Sequence, residues 1–260
     1  MKRFALWVTA VTLFGLSGHS RAQTEWQVAP YLWMSDVSLD LILNDRELGG
    51  TVPFSDIVDK LDGAFMIRAE GRGSGSGVGG FFDMITITLR DGSVTPVGPG
   101  GPVLGDLVTS SKLSMGLFDA GLTLRFGDLD ADRFVLDILG GIRYVDVEQD
   151  IAITLPGPLE TMITRQIDAT EVDLLIGARG VGKLSDRWHY RLRGDYSNFG
   201  TDGTLNLLAA IGYSFGQTGL FSLDVGYRHL MMELSNNLDT GSSSSDIELS
   251  GPIVGFVFSF

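Results

Sequence analysis

Apolar and polar residues alternate with a period of two along most of this chain. In Phe118–Phe126, one side carries Phe118, Ala120, Leu122, Leu124 and Phe126, and the other Asp119, Gly121, Thr123 and Arg125. In Phe134–Tyr144, Phe134, Leu136, Ile138, Ile142 and Tyr144 oppose Asp137, Gly141 and Arg143. Val172, Leu174, Ile176 and Ala178 oppose Glu171, Asp173, Gly177 and Arg179. Trp188, Tyr190, Leu192 and Tyr196 oppose His189, Arg191, Arg193 and Asp195. Leu205, Leu207, Ala209, Ile211, Tyr213 and Phe215 oppose Asn206, Ala210 and Ser214, and Phe221, Leu223, Val225 and Tyr227 oppose Asp224 and Arg228. Side chains on a strand point to opposite faces in turn, so this pattern predicts strands with one apolar and one charged face.

The predicted strands are Gly63–Gly73, Val78–Arg90, Lys112–Phe126, Arg133–Glu148, Ile167–Leu184, Trp188–Phe199, Thr204–Phe215, Leu220–Leu234 and Ile247–Phe260. Ahead of them come the aromatic strand Trp26–Met34, which contains Pro30, and a hairpin of Val37–Leu43 with Leu48–Val52. Val78–Leu89 fits less cleanly. Asp83 shares its face with Ile85 and Ile87, which predicts a bulge or a partly covered strand. Phe54–Leu61 breaks the period of two: Phe54, Ile57, Val58 and Leu61 fall at helical spacing behind Ser55. A short amphipathic helix near 54–61 is expected there, either as a capping turn on a barrel end or as a plug that narrows the lumen.

Short connections (GSGSG, GDLDAD, SD, GQT) alternate with longer ones at Asp91–Ser111, Gln149–Gln166 and Ser235–Asp246, with Gly200–Gly203 as a brief exception. Short turns on one side and long loops on the other describe a transmembrane antiparallel up-and-down β-barrel. The strand number is about ten, or twelve if the 37–52 hairpin joins the wall. The fold class is therefore all-β.

Alternation alone does not say which face is wet. Three further features do. Met1-Lys2-Arg3, the apolar Phe4–Leu16 and the small residues Ser20 and Ala22 make a secretory signal peptide of residues 1–22, cleaved after Ala22. The last strand ends on an apolar face of Val254, Phe256, Phe258 and Phe260. Aromatic residues at strand ends (Trp188, Tyr190, Tyr196, Tyr213, Phe215, Phe126) suit interfacial girdles. The expected arrangement is apolar outward and charge inward. It places residues 23–260 as one barrel in a Gram-negative outer membrane, with both termini periplasmic. A charge facing hydrocarbon at mid-strand would cost roughly 2–4 kcal/mol.

The expected lumen set is Arg68, Glu70 and Arg72, then Asp119 and Arg125, Asp137 and Arg143, Asp173 and Arg179, then Arg191, Arg193 and Asp195, and finally Asp224 and Arg228. Acids and bases are mixed on neighbouring strands. The set fits a salt-bridge lattice that fills a narrow interior, and it fits a polar path for small solutes. Ten to twelve strands leave at most a narrow pore.

Composition narrows the picture further. With 260 residues, 44% hydrophobic, the chain suits one all-β domain. No run after the N-terminal segment is long and apolar enough for a membrane helix, and 35 glycines suit a barrel. There is no cysteine, so disulfides and thiolate metal sites are excluded. A net charge of −13, more acidic still once Lys2, Arg3 and Arg21 are removed, argues against nucleic acid as a partner.

The segment Trp26…Pro30-Tyr31-Leu32-Trp33, followed by Phe54-Ser55-Asp56 and Leu61-Asp62, resembles a group of uncharacterised Gram-negative outer-membrane β-barrel proteins with a W-x-x-x-P-Y-L-W first strand. Gly141-x-Arg143-Tyr144 resembles them too. The resemblance spans most of the mature chain loosely and implies a barrel in the outer membrane. It carries no activity and no catalytic residue.

No convincing catalytic constellation is present, so the chain is not expected to be an enzyme. The mature chain has two histidines, His189 and His229. His189 follows the Ser185–Arg187 turn, at the periplasmic end. His229 falls on the lipid-facing side at the outer end of its strand, with Ser235 and the loop-like run Ser242–Ser245 close in sequence. Two scattered histidines make no metal site. Asp146, Glu148 and Asp150 read as a solvated strand end before a divalent-cation site. No cofactor is expected. The expected partners are outer-membrane lipid and lipopolysaccharide, the barrel-assembly machinery through the C-terminal Phe260, and small polar solutes. The expected function is a narrow channel for such solutes or a closed structural barrel. The alternatives are a rim enzyme acting on lipid or peptide, or a surface-interaction barrel.

Overall fold

A computed structural model describes residues 24–43, 46–96, 106–129, 131–155, 161–198, 203–216, 219–238 and 241–260. The expected signal peptide lies outside these residues. The chain forms β1 (Thr24–Trp33), β2 (Asp36–Leu43), β3 (Arg46–Val52), α1 (Phe54–Val58), β4 (Leu61–Gly73), β5 (Val78–Pro96), β6 (Asp106–Phe126), β7 (Phe134–Leu155), β8 (Thr161–Lys183), β9 (Trp188–Asn198), β10 (Gly203–Phe215), β11 (Phe221–Leu238) and β12 (Gly241–Ser259). Ten of these strands close an antiparallel barrel in the order β1-β4-β5-β6-β7-β8-β9-β10-β11-β12. Closure comes from β1 on β12, with Val28 opposite Phe258 and Leu32 opposite Val254. The Trp26 N–H donates to the Phe260 carbonyl at 2.7 Å, and the Phe260 N–H returns a bond to Trp26 at 2.9 Å. A closed sheet has no edge to aggregate.

The 37–52 hairpin stays outside the closed wall. The lower part of β12 pairs with β1, and its upper part, Ser244–Ser250, pairs with β2. The chain bends between β1 and β2 at Met34, whose N–H bonds the Pro252 carbonyl at 2.9 Å. β3 folds back on β2. The barrel therefore has ten strands, with two added above β1.

Two expectations change in extent. The segments 91–111, 149–166 and 235–246 are mostly strand rather than loop. β5 with β6 stays paired out to Pro96 and Asp106, β7 with β8 to Leu155 and Thr161, and β11 with β12 to Leu238 and Gly241. Backbone pairing continues there through segments that read as loops between the regular strands. The helix is shorter than 54–61: it ends at Val58, and Leu61 opens β4. Its N-terminus is held at the rim by the Phe54 N–H donating to Asp36 Oδ1 at 2.7 Å. Of the four residues expected in a plug, Ile57 is buried, Phe54 is half-buried, and Val58 and Leu61 are exposed.

β5 carries no bulge at Asp83. Its register with both neighbours runs unbroken from Gly79 to Thr88, and the one irregularity between β4 and β5 lies at Leu61/Gly63. Asp83 and Ile85 are both buried, so they share the inward face because the interior itself changes character along its length.

Turns at the end carrying the termini use glycine where the backbone is left-handed, as at Gly75 (φ 71°) and Gly127 (φ 95°). Inside the wall, Gly121 and Gly141 sit opposite each other on β6 and β7. A Cβ on Gly121 would lie 2.7 Å from Gly141 Cα and 2.9 Å from the Phe81 ring. Gly121→Val is therefore expected to lower folding stability by about 1–3 kcal/mol in a urea titration of the folded chain in micelles. Gly140→Ala, where a Cβ meets nothing within 4 Å, serves as the control and is expected to cause no loss. Equal behaviour of the two variants would contradict the packing.

Candidate functional site: the charged interior

The inward face of the barrel carries two sets of ion pairs. Arg143 on β7 is 0% exposed. Its Nε and Nη2 both donate to Asp119 on β6 at 2.8 Å, and Nη2 also reaches Asp195 on β9 at 2.6 Å. Asp195 Oδ2 accepts from Arg193 Nε at 2.5 Å and from Asn206 Nδ2 at 2.7 Å. Arg193 Nη2 reaches across to Asp119 at 3.2 Å. The chain of bonds continues through Arg228, whose Nε donates to Asn206 at 2.8 Å and whose Nη1 donates to Tyr31 Oη at 3.1 Å. Tyr31 in turn donates to Asp83 at 2.6 Å. One network thus joins β1, β5, β6, β7, β9, β10 and β11. Asp173 is half-buried on β8, directly opposite Arg143 in the register.

The second set lies nearer the termini. Asp137 on β7 accepts from three arginines: Arg125 Nε at 2.7 Å, Arg179 Nη2 at 2.7 Å and Arg72 Nη2 at 3.4 Å. Arg179 Nη1 bonds Glu70 on β4 at 2.6 Å, and Arg68 Nε stands 3.4 Å from the same carboxylate. Asp224 on β11 is held by His189 Nε2 at 3.0 Å. Beside it, a cavity of about 20 Å³ is lined by residues that include Tyr31, Arg68, Arg191 and Asp224.

Every residue expected in the lumen therefore lies buried or half-buried on the inward side, and nearly all of them meet in these two sets. Four members stand outside the expected set: Tyr31, Asp83, His189 and Asn206. Asn206 shares the polar face of its strand, and Asp83 its odd company with Ile85. Tyr31 carried no signal, because its strand is aromatic on both sides.

An apolar layer caps the lattice at the far end. Two residues beyond the charged positions stand Trp33 past Tyr31, Met66 past Arg68, Ile85 past Asp83, Leu117 past Asp119, Val145 past Arg143 and Leu230 past Arg228, all buried in one cluster with Met232, Leu249 and Ile253. The Arg228 guanidinium lies 5.1 Å over the Trp33 ring and joins the two layers by a cation–π contact.

The outward face is the converse. Ile176, Leu122 and Leu174 are 67%, 65% and 60% exposed. The outward positions of Phe65–Gly73, Val78–Met84, Phe118–Phe126, Phe134–Tyr144, Val172–Gly182, Trp188–Tyr196, Leu205–Phe215, Phe221–Tyr227 and Pro252–Phe258 contain no Asp, Glu, Lys or Arg. Near the end carrying the termini, Trp188, Tyr213, Phe215 and Phe221 form a run of ring contacts with centroids 5.0–5.3 Å apart.

His189 and His229 do not share a site. His189 is inside near the termini, whereas His229 is on the outer surface, 3.4 Å from Glu248 Oε1. Asp146 accepts from Thr170 Oγ1 at 3.0 Å. Among the described residues no group of three His, Asp or Glu is placed to hold a metal. The side chains of Ser242–Ser245 lie outside the described residues.

No protein-family model and no curated protein matches the sequence. The fold is that of outer-membrane barrels. The outer membrane protease OmpT of Escherichia coli superposes with a TM-score of 0.55 over 94% of this chain and 99% of its own, at 8% identity. The translocator domain of the autotransporter NalP of Neisseria meningitidis matches with a TM-score of 0.42 over 100% of this chain and 95% of its own, at 13% identity. Ail of Yersinia pestis gives 0.39 at 8% identity, over 92% of this chain and 99% of its own. At these identities the likeness extends to the fold and to nothing chemical.

A double-mutant cycle tests the lattice. Asp119→Asn and Arg143→Met each leave a buried charge short of its main partner, and each is expected to lower stability by about 3–5 kcal/mol. The double variant leaves the Arg193–Asp195 pair intact and is expected to lose less than the sum of the singles by at least about 2 kcal/mol. Simple additivity in urea titrations would contradict the pairing.

Proposed function

We propose that this chain is an integral outer-membrane β-barrel whose interior is closed, and that it serves as a structural scaffold rather than an open pore. The observation that carries the reading is the pair of layers inside the wall. Arg143, Asp119, Asp137 and Asp195 are buried in ion pairs that cross the interior, and the apolar cluster around Trp33, Met66 and Leu117 sits on top of them. A water path would have to part both. The uncharged outer belt supports placement in a bilayer: apolar area on this scale facing water would be an aggregation liability, and facing lipid it is the ordinary exterior of a barrel.

In this reading both termini and the short turns face the periplasm. The long extensions of β5–β8 stand beyond the membrane at the cell surface, where they and the β2–β3 hairpin are the parts free to meet other molecules. The outer-membrane lipid and lipopolysaccharide surround the belt, and Phe260 at the closing seam is the contact for assembly machinery. A signal peptide of residues 1–22 delivers the chain. No hydrolytic role is assigned to it, since its two histidines after Ala22 stand on opposite faces of the wall.

Planar-bilayer recordings of the purified full chain test the closure. No unitary steps are expected from the wild type, and none after deletion of Phe54–Val58, because closure lies in the lattice and the apolar layer rather than at the rim. Regular steps from the wild type would contradict the reading.

A further inference from the structure

The half of the interior nearest the termini holds more positive charge than its carboxylates neutralise. Asp137 alone answers three guanidiniums, Arg72, Arg125 and Arg179. Glu70 answers Arg179 a second time and also faces Arg68 and Arg191. Asp224 is the third carboxylate, and its nearest partner is His189. Five arginines therefore stand against three carboxylates among the described residues. Arg68, Arg72 and Arg125 are half-buried and Arg179 is paired twice, so the costly case is Arg191, a buried charge whose counter-charge stands off.

Arg191 shows where that anion belongs. It is 7% exposed, and its Nε and Nη1 have no hydrogen-bond partner. The nearest carboxylate oxygen, on Glu70, stands 4.0 Å from Nη1, outside hydrogen-bond range. Arg191 and Arg68 line the same cavity of about 20 Å³, whose remaining wall is mainly apolar, with Leu208, Ile253 and Val257. The Asp224 carboxylate also lines it and opposes an anion, but the two guanidiniums outnumber it. A space of this size takes one or two waters, or a single monatomic ion. A phosphate or a carboxylic acid does not fit.

We propose that this cavity is a binding site for one chloride-sized anion, clasped between Arg68 and Arg191, which supplies the acceptor that the buried Arg191 guanidinium lacks. The site follows from the interior geometry alone, so it stands or falls independently of whether the barrel conducts.

Bromide is the probe. Crystals of the full chain grown in bromide are expected to show an anomalous peak between Arg68 and Arg191. In micelles at constant ionic strength, the melting temperature is expected to be several degrees higher in sodium chloride or bromide than in sodium gluconate, whose anion is too large for the cavity. That halide-dependent difference is expected to vanish in Arg191→Met and, as a second variant should the first not fold, in Arg68→Met. Absence of both the peak and the melting difference would mean that water alone fills the cavity, and would overturn the proposal. A halide effect that persists in the folded variants would place the anion elsewhere and overturn it equally.

Discussion

Arg143 sets the terms for this fold. A guanidinium removed from water loses several kcal/mol of hydration, and only good geometry with opposite charge recovers it. Here the compensation comes from two other strands, as Asp119 of β6 accepts two bonds and Asp195 of β9 a third. Those carboxylates meet one guanidinium because the sheet curls with all three side chains on its concave face, and the β1–β12 pairing completes the tube. Once they are inside, the strict period of two turns Leu122, Leu174 and Ile176 outward. The apolar exterior is a consequence of where the charges go.

The same geometry explains why the interior is layered. Charged positions recur at one level on β5, β6, β7 and β11, and the next inward position on each is apolar: Ile85, Leu117, Val145 and Leu230. The charges bind strands across the tube, and the apolar cluster above them is packed by ordinary burial. Trp33 belongs to that cluster and also lies against Arg228, so the two layers support each other. Beyond them β5–β8 run on as strands paired through their backbones.

Much of this was legible in the residues. Period-two alternation marks the wall strands from β4 onward, with β5 as the poorest fit, and β1 stands out by its aromatic residues; the leader-like N-terminus, the last strand's Phe-rich end and the aromatic strand ends point the charged face inward. The extent of β5–β8 is not legible, because a segment such as Asp106–Ser111 has no clean apolar–polar alternation to mark it as strand. The sequence allows the 37–52 hairpin to be wall or appendage, since its pairing with Ser244–Ser250 depends on a bend at Met34 that has no sequence signature. Asp83 was visible as an anomaly, yet its cause was not: a face that is polar at one level and apolar at the next looks like a broken period. Tyr31 as a lattice member and the unpartnered nitrogens of Arg191 leave no trace in the sequence, because both depend on distances across the barrel between strands far apart along the chain.

The most direct test of the inverted polarity is nitroxide accessibility in lipid vesicles. Labels at Leu122 and Leu174 are predicted to collide readily with oxygen dissolved in the bilayer and hardly at all with a water-soluble nickel relaxant. The contrary result, labels at both positions relaxed by aqueous nickel and shielded from oxygen, would mean that the apolar face does not meet hydrocarbon.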